Sequence, residues 1–218
     1  MTARDAILHR IRTSLAGSPP VAPPPVPEVW PRQNPDRAAL ADRFVAELGA
    51  VSGETIRCRS MDEARRQLAD LARQAGWATI GVTEKGVGSL YSPAEEKTPD
   101  PFISFGPESK PGDIAQLDAG LVEADTLLAD TGSCMIACGT THERLMCYLP
   151  PACVVLARVS QLVEHLPAAW ADIARRCADG QLRGEFVVVT GPSRTADIEK
   201  ILILGVHGPK RLVVLLVD

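Results

Sequence analysis

Residues 212–217, Leu-Val-Val-Leu-Leu-Val, are apolar at every position. A strand that faces water on one side alternates apolar and polar side chains, so a strand without alternation needs apolar neighbours on both faces. A parallel sheet covered by helices supplies that environment. Strand-like runs at residues 55–59, 77–82, 153–157 and 186–190 alternate with helix-like runs at 34–49, 60–75 and 195–204. This alternation predicts an α/β fold: a mostly parallel sheet with helices on both faces. One hairpin is expected within it, residues 126–129 and 133–137 turning through Asp130, Thr131 and Gly132.

The helices carry their own punctuation. Asn34 suits an N-cap, Pro35 the first helical position and Gly49 the exit, with Leu40, Phe44 and Leu48 facing inward. Ser60 and Glu63 form a capping box for a helix ending at Gly76, with Ala64, Leu68, Leu71 and Ala75 on one face. A short strand is expected at 102–105 and a helix at 113–119. Residues 160–166 begin like a helix. A further helix from Pro167 is expected to turn Trp170, Ile173, Ala174 and Cys177 inward.

Ahead of this domain, residues 3–15 read as an amphipathic helix capped by Thr2 and Asp5, with Ile7, Leu8, Ile11 and Leu15 on one stripe. Prolines at 19, 20, 23, 24, 25, 27 and 31 forbid helix or central strand beyond it and favour an extended connector. The expected organisation is a helical arm over residues 1–17, a proline-rich connector over 18–33 and a single α/β domain over 34–218.

Composition narrows the function. A net charge of −4 with no basic cluster is not a nucleic-acid footprint. No apolar run reaches the ~20 residues of a membrane helix, and the N-terminus lacks the apolar stretch of a signal peptide, so no membrane span is expected and the cytoplasm is the expected compartment. Six cysteines are present, none in a C-x-x-C pair, so no metal site and no cofactor on this chain are expected. His142-Glu143-Arg144 lacks the second histidine of a zinc-protease motif.

Two segments carry candidate chemistry. In the first, a buried strand runs through Thr190, Gly191 and Pro192 into Ser193, Arg194 and Thr195. Read as the start of a helix, this places free N–H groups, hydroxyls and a guanidinium where a carboxylate or phosphate would bind. The same residues serve equally as an N-cap whose first turn is complemented by Asp197 and Glu199. In the second, Asp130-Thr131-Gly132-Ser133 is a hairpin tip, either turn chemistry alone or a site. Gly205 reads as the end of the 195–204 helix, which would put His207 at the opposite end of the sheet.

The stretch TGPSRTADIEKILILGVHGP, residues 190–209, resembles the C-terminal signature of the lactate-utilisation protein C family, the LUD domain. Residues 123–133, EADTLLADTGS, resemble that family's second motif, and Leu149-Pro150-Pro151 before an apolar strand fits its spacing. The resemblance covers roughly residues 37–218. It implies a fold similar to the sugar-phosphate isomerase and CoA-transferase superfamily. It also implies membership of a three-protein system oxidising L-lactate to pyruvate, with iron–sulfur clusters on the two partner proteins. The ligand residues expected on this reading are Thr131, Gly132, Ser133, Thr190, Gly191, Ser193, Arg194, Thr195 and Glu199, around a small anionic metabolite or a partner surface. The alternative is a stand-alone CoA-transferase-like or sugar-phosphate-handling enzyme, in which Asp130 or Asp197 would be the catalytic carboxylate.

Overall fold

The computed structural model describes residues 2–17, 33–83, 101–105, 109–178, 186–196, 202–205 and 207–218. It divides into two units, Met1–Pro31 and Arg32–Asp218. In the first, α1 (Ala3–Leu15) carries the expected capping box between Thr2 and Asp5. Ile7, Ile11 and Leu15 along it are exposed.

In the second unit the sheet-forming runs are short and rich in Val, Leu and Ile, and they assemble as anticipated. Six parallel strands lie in the order β1 (Glu54–Cys58), β12 (Arg211–Val217), β7 (Ala152–Arg158), β4 (Ala119–Glu123), β2 (Ile80–Thr83) and β3 (Phe102–Phe105). β12 lies between β1 and β7 and is buried on both sides. Leu212, Val214 and Leu216 pack with Phe44 and Leu48 of α2 (Arg37–Ala50). Val213, Leu215 and Val217 pack with Leu68 and Leu71 of α3 (Met61–Ala75). Each of these side chains contributes about 1.5–3 kcal/mol of hydrophobic stabilisation, which no alternating strand could collect on two faces.

A second sheet shares the α2 side of the core. Its order is β8 (Leu162–Val163), β5 (Thr126–Leu128), β6 (Ser133–Ala137) and β9 (Phe186–Val189). Cys134, Ile136 and Leu127 face the large sheet, while Leu128, Met135 and Ala137 face α6 (Leu166–Ala178). The expected hairpin is the β5–β6 pair, antiparallel with Leu128 opposite Ser133.

Several expectations are corrected. α2 is capped by Asp36, whose carboxylate accepts from the Ala39 N–H, and not by Asn34. Gly49 lies inside the helix, and the left-handed residue after it is Ser52 (φ 67°). On α3 it is Ala72, not Ala75, that is buried. The helix expected at 113–119 is a single turn, α4 (Pro111–Ile114), and the chain then enters strand β4, unread in the sequence. Residues 160–166 form the end of a 3-10 turn and β8. On α6 only Ile173 of the four expected inward residues is buried, while Trp170 and Cys177 are exposed.

The largest correction falls on the expected 195–204 helix. Residues Arg194–Ala196 and Leu202–Leu204 are instead the antiparallel strands β10 and β11, with Thr195 opposite Ile203. Three isoleucines in this stretch disfavour helix and favour strand, and a short apolar run fits either period. Asp197 and Glu199 lie outside the described residues.

Candidate functional site

The site is built by strand register. β6 and β9 pair antiparallel with Cys134 opposite Val189. One step further along that register sets Ser133 beside Thr190, within the span over which cross-strand side chains meet. Their hydroxyls share a 2.7 Å hydrogen bond, and a second 2.7 Å bond joins Ser133 to Thr131. Ser133 is buried while Thr131 and Thr190 are exposed, so the chain of three hydroxyls runs from solvent, through the fold, to solvent.

Two glycines seat this chain on the last turn of α2. Gly132 (φ 62°) lies so close that a Cβ there would stand 2.2 Å from the Leu48 nitrogen. Gly191 (φ 75°) lies against Val51, where a Cβ would stand 2.6 Å from its carbonyl oxygen. Both positions combine a left-handed backbone with no room for a side chain. Arg194 reaches the same helix end, its guanidinium donating to Ser52 Oγ at 2.8 Å.

The two candidate segments therefore meet, but by strand pairing and not at a helix N-terminus. The residues after Gly191 enter strand β10, so the expected array of free helical N–H groups is absent from the described residues there. β9 also ends in the second sheet, not the parallel one. Arg194 and Thr195 sit on β10; Ser193, just before it, donates its N–H to Pro209 O at 2.9 Å and accepts from the Gly205 N–H at 2.9 Å. These bonds bring the His207 loop back beside Ser193, correcting the expectation that it lies at the far end of the sheet.

Asp130 closes the tip from the other side. Its N–H donates to Glu164 O at 3.0 Å, and its Oδ1 is buried with no hydrogen-bond partner among the described residues. The adjoining His165 is buried and accepts the Ala168 N–H on Nδ1 at 3.1 Å. Its Nε2 is likewise buried and unpartnered among the described residues. Nδ1 acting as acceptor fixes the neutral tautomer with the proton on Nε2. Sequence reasoning passed over His165; its place just before Leu166-Pro167 at a helix start was the available signal.

Asp125, in the same motif as Asp130, has a different task. Its carboxylate accepts from the Ala137 N–H and from Arg176, both at 2.6 Å, tying β5 to β6 and to α6. Five cysteines are buried and Cys177 is exposed. Burial raises the Cys134 thiol and pushes Cys153 up to about 12; a hydrogen bond with Cys138, followed by burial, raises Cys147. These thiols stay protonated and fill space. Among the described residues no group of three His, Cys, Asp or Glu side chains is disposed to hold a metal.

Fold and site together define an α/β protein in which a parallel six-stranded sheet carries a smaller mixed sheet, with the hydroxyl-bridged tips of the smaller sheet seated on one helix end. The LUD domain matches residues 41–217, and the chain belongs to that family. It is similar to a protein from an Exiguobacterium species named Lactate utilization protein C, 26% identical over 100% of this chain and 96% of the relative. The protein of that name from Deinococcus radiodurans is 25% identical over 99% of this chain and 95% of its own length. The match to the Bacillus pumilus protein of the same name is 34% identical but spans 45% of this chain and 41% of that relative. In shape the chain is similar to the crystal structure of a DUF162 family protein from Deinococcus radiodurans, with a TM-score of 0.65 at 15% identity. That likeness covers 84% of this chain and 99% of the other. Among the described residues no helix is long and apolar enough to cross a membrane.

Proposed function

We propose that this chain serves L-lactate utilisation as the cluster-free, cytosolic subunit of a system that oxidises L-lactate to pyruvate. The supporting observation is its end-to-end similarity to proteins named Lactate utilization protein C. The oxidation removes two electrons and two protons from the substrate. Two iron–sulfur proteins would accept the electrons, and this chain would bind a small anion or one of those partners at the joined Thr131–Ser133–Thr190 tips. Arg194 beside them supplies a fork-shaped cation suited to a carboxylate.

Tagged chain purified from lactate-grown cells tests the reading. Two further proteins carrying iron and acid-labile sulfide should accompany it, and the chain alone should carry neither. Stoichiometric iron in the isolated chain would contradict the reading.

A second reading has one observation in its favour. The unpartnered buried Oδ1 of Asp130 suits a stand-alone enzyme on a CoA-transferase-like scaffold, in which that carboxylate would attack or deprotonate the substrate. Asp130→Asn separates the two readings. It would abolish turnover of an acyl or phosphorylated substrate by the isolated chain, whereas the subunit reading expects no such turnover from the wild type.

A further inference from the structure

A cleft of about 460 Å³ opens between the segment after α5 (Thr141–Met146) and the loop leading into β12. Tyr148, Leu149 and Pro151 form one wall; Gly205, His207, Gly208 and Lys210 form the other. The second wall is firmly seated. Its backbone is held by Ser193 N to Pro209 O (2.9 Å), Gly205 N to Ser193 O (2.9 Å) and Lys210 N to Pro151 O (2.8 Å). Its two glycines leave no room for side chains. A Cβ on Gly208 would stand 2.9 Å from Ser193 Cβ, and one on Gly205 (φ 74°) would stand 2.1 Å from Lys210 Cγ.

The lining is one-sided in charge. Among the described residues the lining includes a lysine, a histidine and a tyrosine, and no carboxylate, in a chain of net charge −4. Among the described residues, the side chains of His207 and Lys210 make no hydrogen bond or ion pair. Tyr148, Leu149 and Pro151 line the same cleft. A volume in the ~300–1,000 Å³ range of small-molecule pockets holds more than a three-carbon acid.

We propose that this cleft binds an organic oxyanion, with a carboxylate or phosphate head on Lys210 and His207 and an apolar body larger than three carbons against Tyr148, Leu149 and Pro151. Lysine supplies a compact charge and histidine an N–H donor to the head, while the two glycines let Lys210 and Ser193 pack closely against the loop. The site is separate from the hydroxyl chain and stands whether or not the chain serves lactate oxidation.

Calorimetry on the full chain tests it, with benzoate and phenyl phosphate as head-plus-body probes and L-lactate and inorganic phosphate as heads alone. At least one aromatic probe should bind tenfold or more tighter than its bare head, and the better of the two identifies the head. His207→Gln combined with Lys210→Gln should weaken that binding at least tenfold with an unchanged melting temperature. Tyr148→Ala should remove the advantage of the aromatic body. Should the double variant fail to fold, Lys210→Met alone, which keeps the backbone bond to Pro151, should still weaken binding several-fold. No binding of either aromatic probe, equal binding of bare heads, or unchanged binding in the folded variants would overturn the proposal.

Discussion

Ser133 and Thr190, 57 residues apart in the sequence, share a 2.7 Å hydroxyl hydrogen bond at the point where β6 begins and β9 ends. Each lies in one of the two segments that resemble the family's motifs, so those two segments meet in space. Ser133→Ala removes the buried centre of the hydroxyl chain and leaves Thr131 and Thr190 to solvent. It should cost about 1–2 kcal/mol in a denaturant melt, the scale of a buried hydrogen bond. Thr190→Val leaves Ser133 its bond to Thr131 and should cost less. Equal, negligible costs would mean the hydroxyls are not coupled.

Gly132 and Gly191 should tolerate no side chain. Gly132→Ala places a Cβ into the backbone of Leu48 at a left-handed φ. It should destabilise by at least about 2 kcal/mol, combining strain with displacement of α2. Gly112, which has open space around it, is the control, and Gly112→Ala should leave the melt within about 0.5 kcal/mol.

The parallel sheet was legible because β12 and β7 are apolar without alternation, and only a sheet covered on both faces accepts that pattern. The β5–β6 hairpin was legible from Asp130-Thr131-Gly132. Strand β4 was not, because Ala119-Gly120 begins it with residues of low strand preference. Gly120 is tolerated there because it lies against the Met146 carbonyl, where a Cβ would stand 2.5 Å away. The β10–β11 hairpin was misread because Ile198, Ile201 and Leu202 fit a helical stripe as well as they fit strands. That one misreading moved His207 to the wrong end of the domain and hid the cleft it lines. The candidate residues were named from the two motifs, but the meeting of Ser133 and Thr190 is a matter of register between β6 and β9, which no local pattern records.

Asp118 gives the fold a sensitivity to acid. Burial alone would raise its carboxyl, but hydrogen bonds from the Thr79 N–H, the Ala78 N–H and the Thr79 hydroxyl outweigh this and hold it below the usual carboxylate value. A lowered folded-state pKa stabilises the fold above the unfolded value, about 3.9, and the contribution is lost as pH falls through the folded value. Asp118→Asn should therefore be less stable than wild type at neutral pH, and the gap should close below about pH 4. A gap independent of pH would contradict this assignment.

Thiol labelling should distinguish one cysteine from the other five. In the native protein at pH 8, iodoacetamide should label Cys177 rapidly. Cys58, Cys134, Cys138, Cys147 and Cys153 are buried and should react only on unfolding. Peptide mapping after a short pulse reads the outcome. Native labelling of Cys134 or Cys153 at a rate comparable to Cys177 would show that the core opens without global unfolding.

Growth on L-lactate is the most direct test of the proposed role. A strain lacking this chain should fail to grow on L-lactate as sole carbon source while growing normally on pyruvate. Wild-type chain supplied in trans should restore growth. Chain carrying Ser133→Ala and Arg194→Ala should restore it poorly although present at wild-type abundance. Normal growth of the deleted strain on L-lactate, with no second protein of the same family in the cell, would contradict the role.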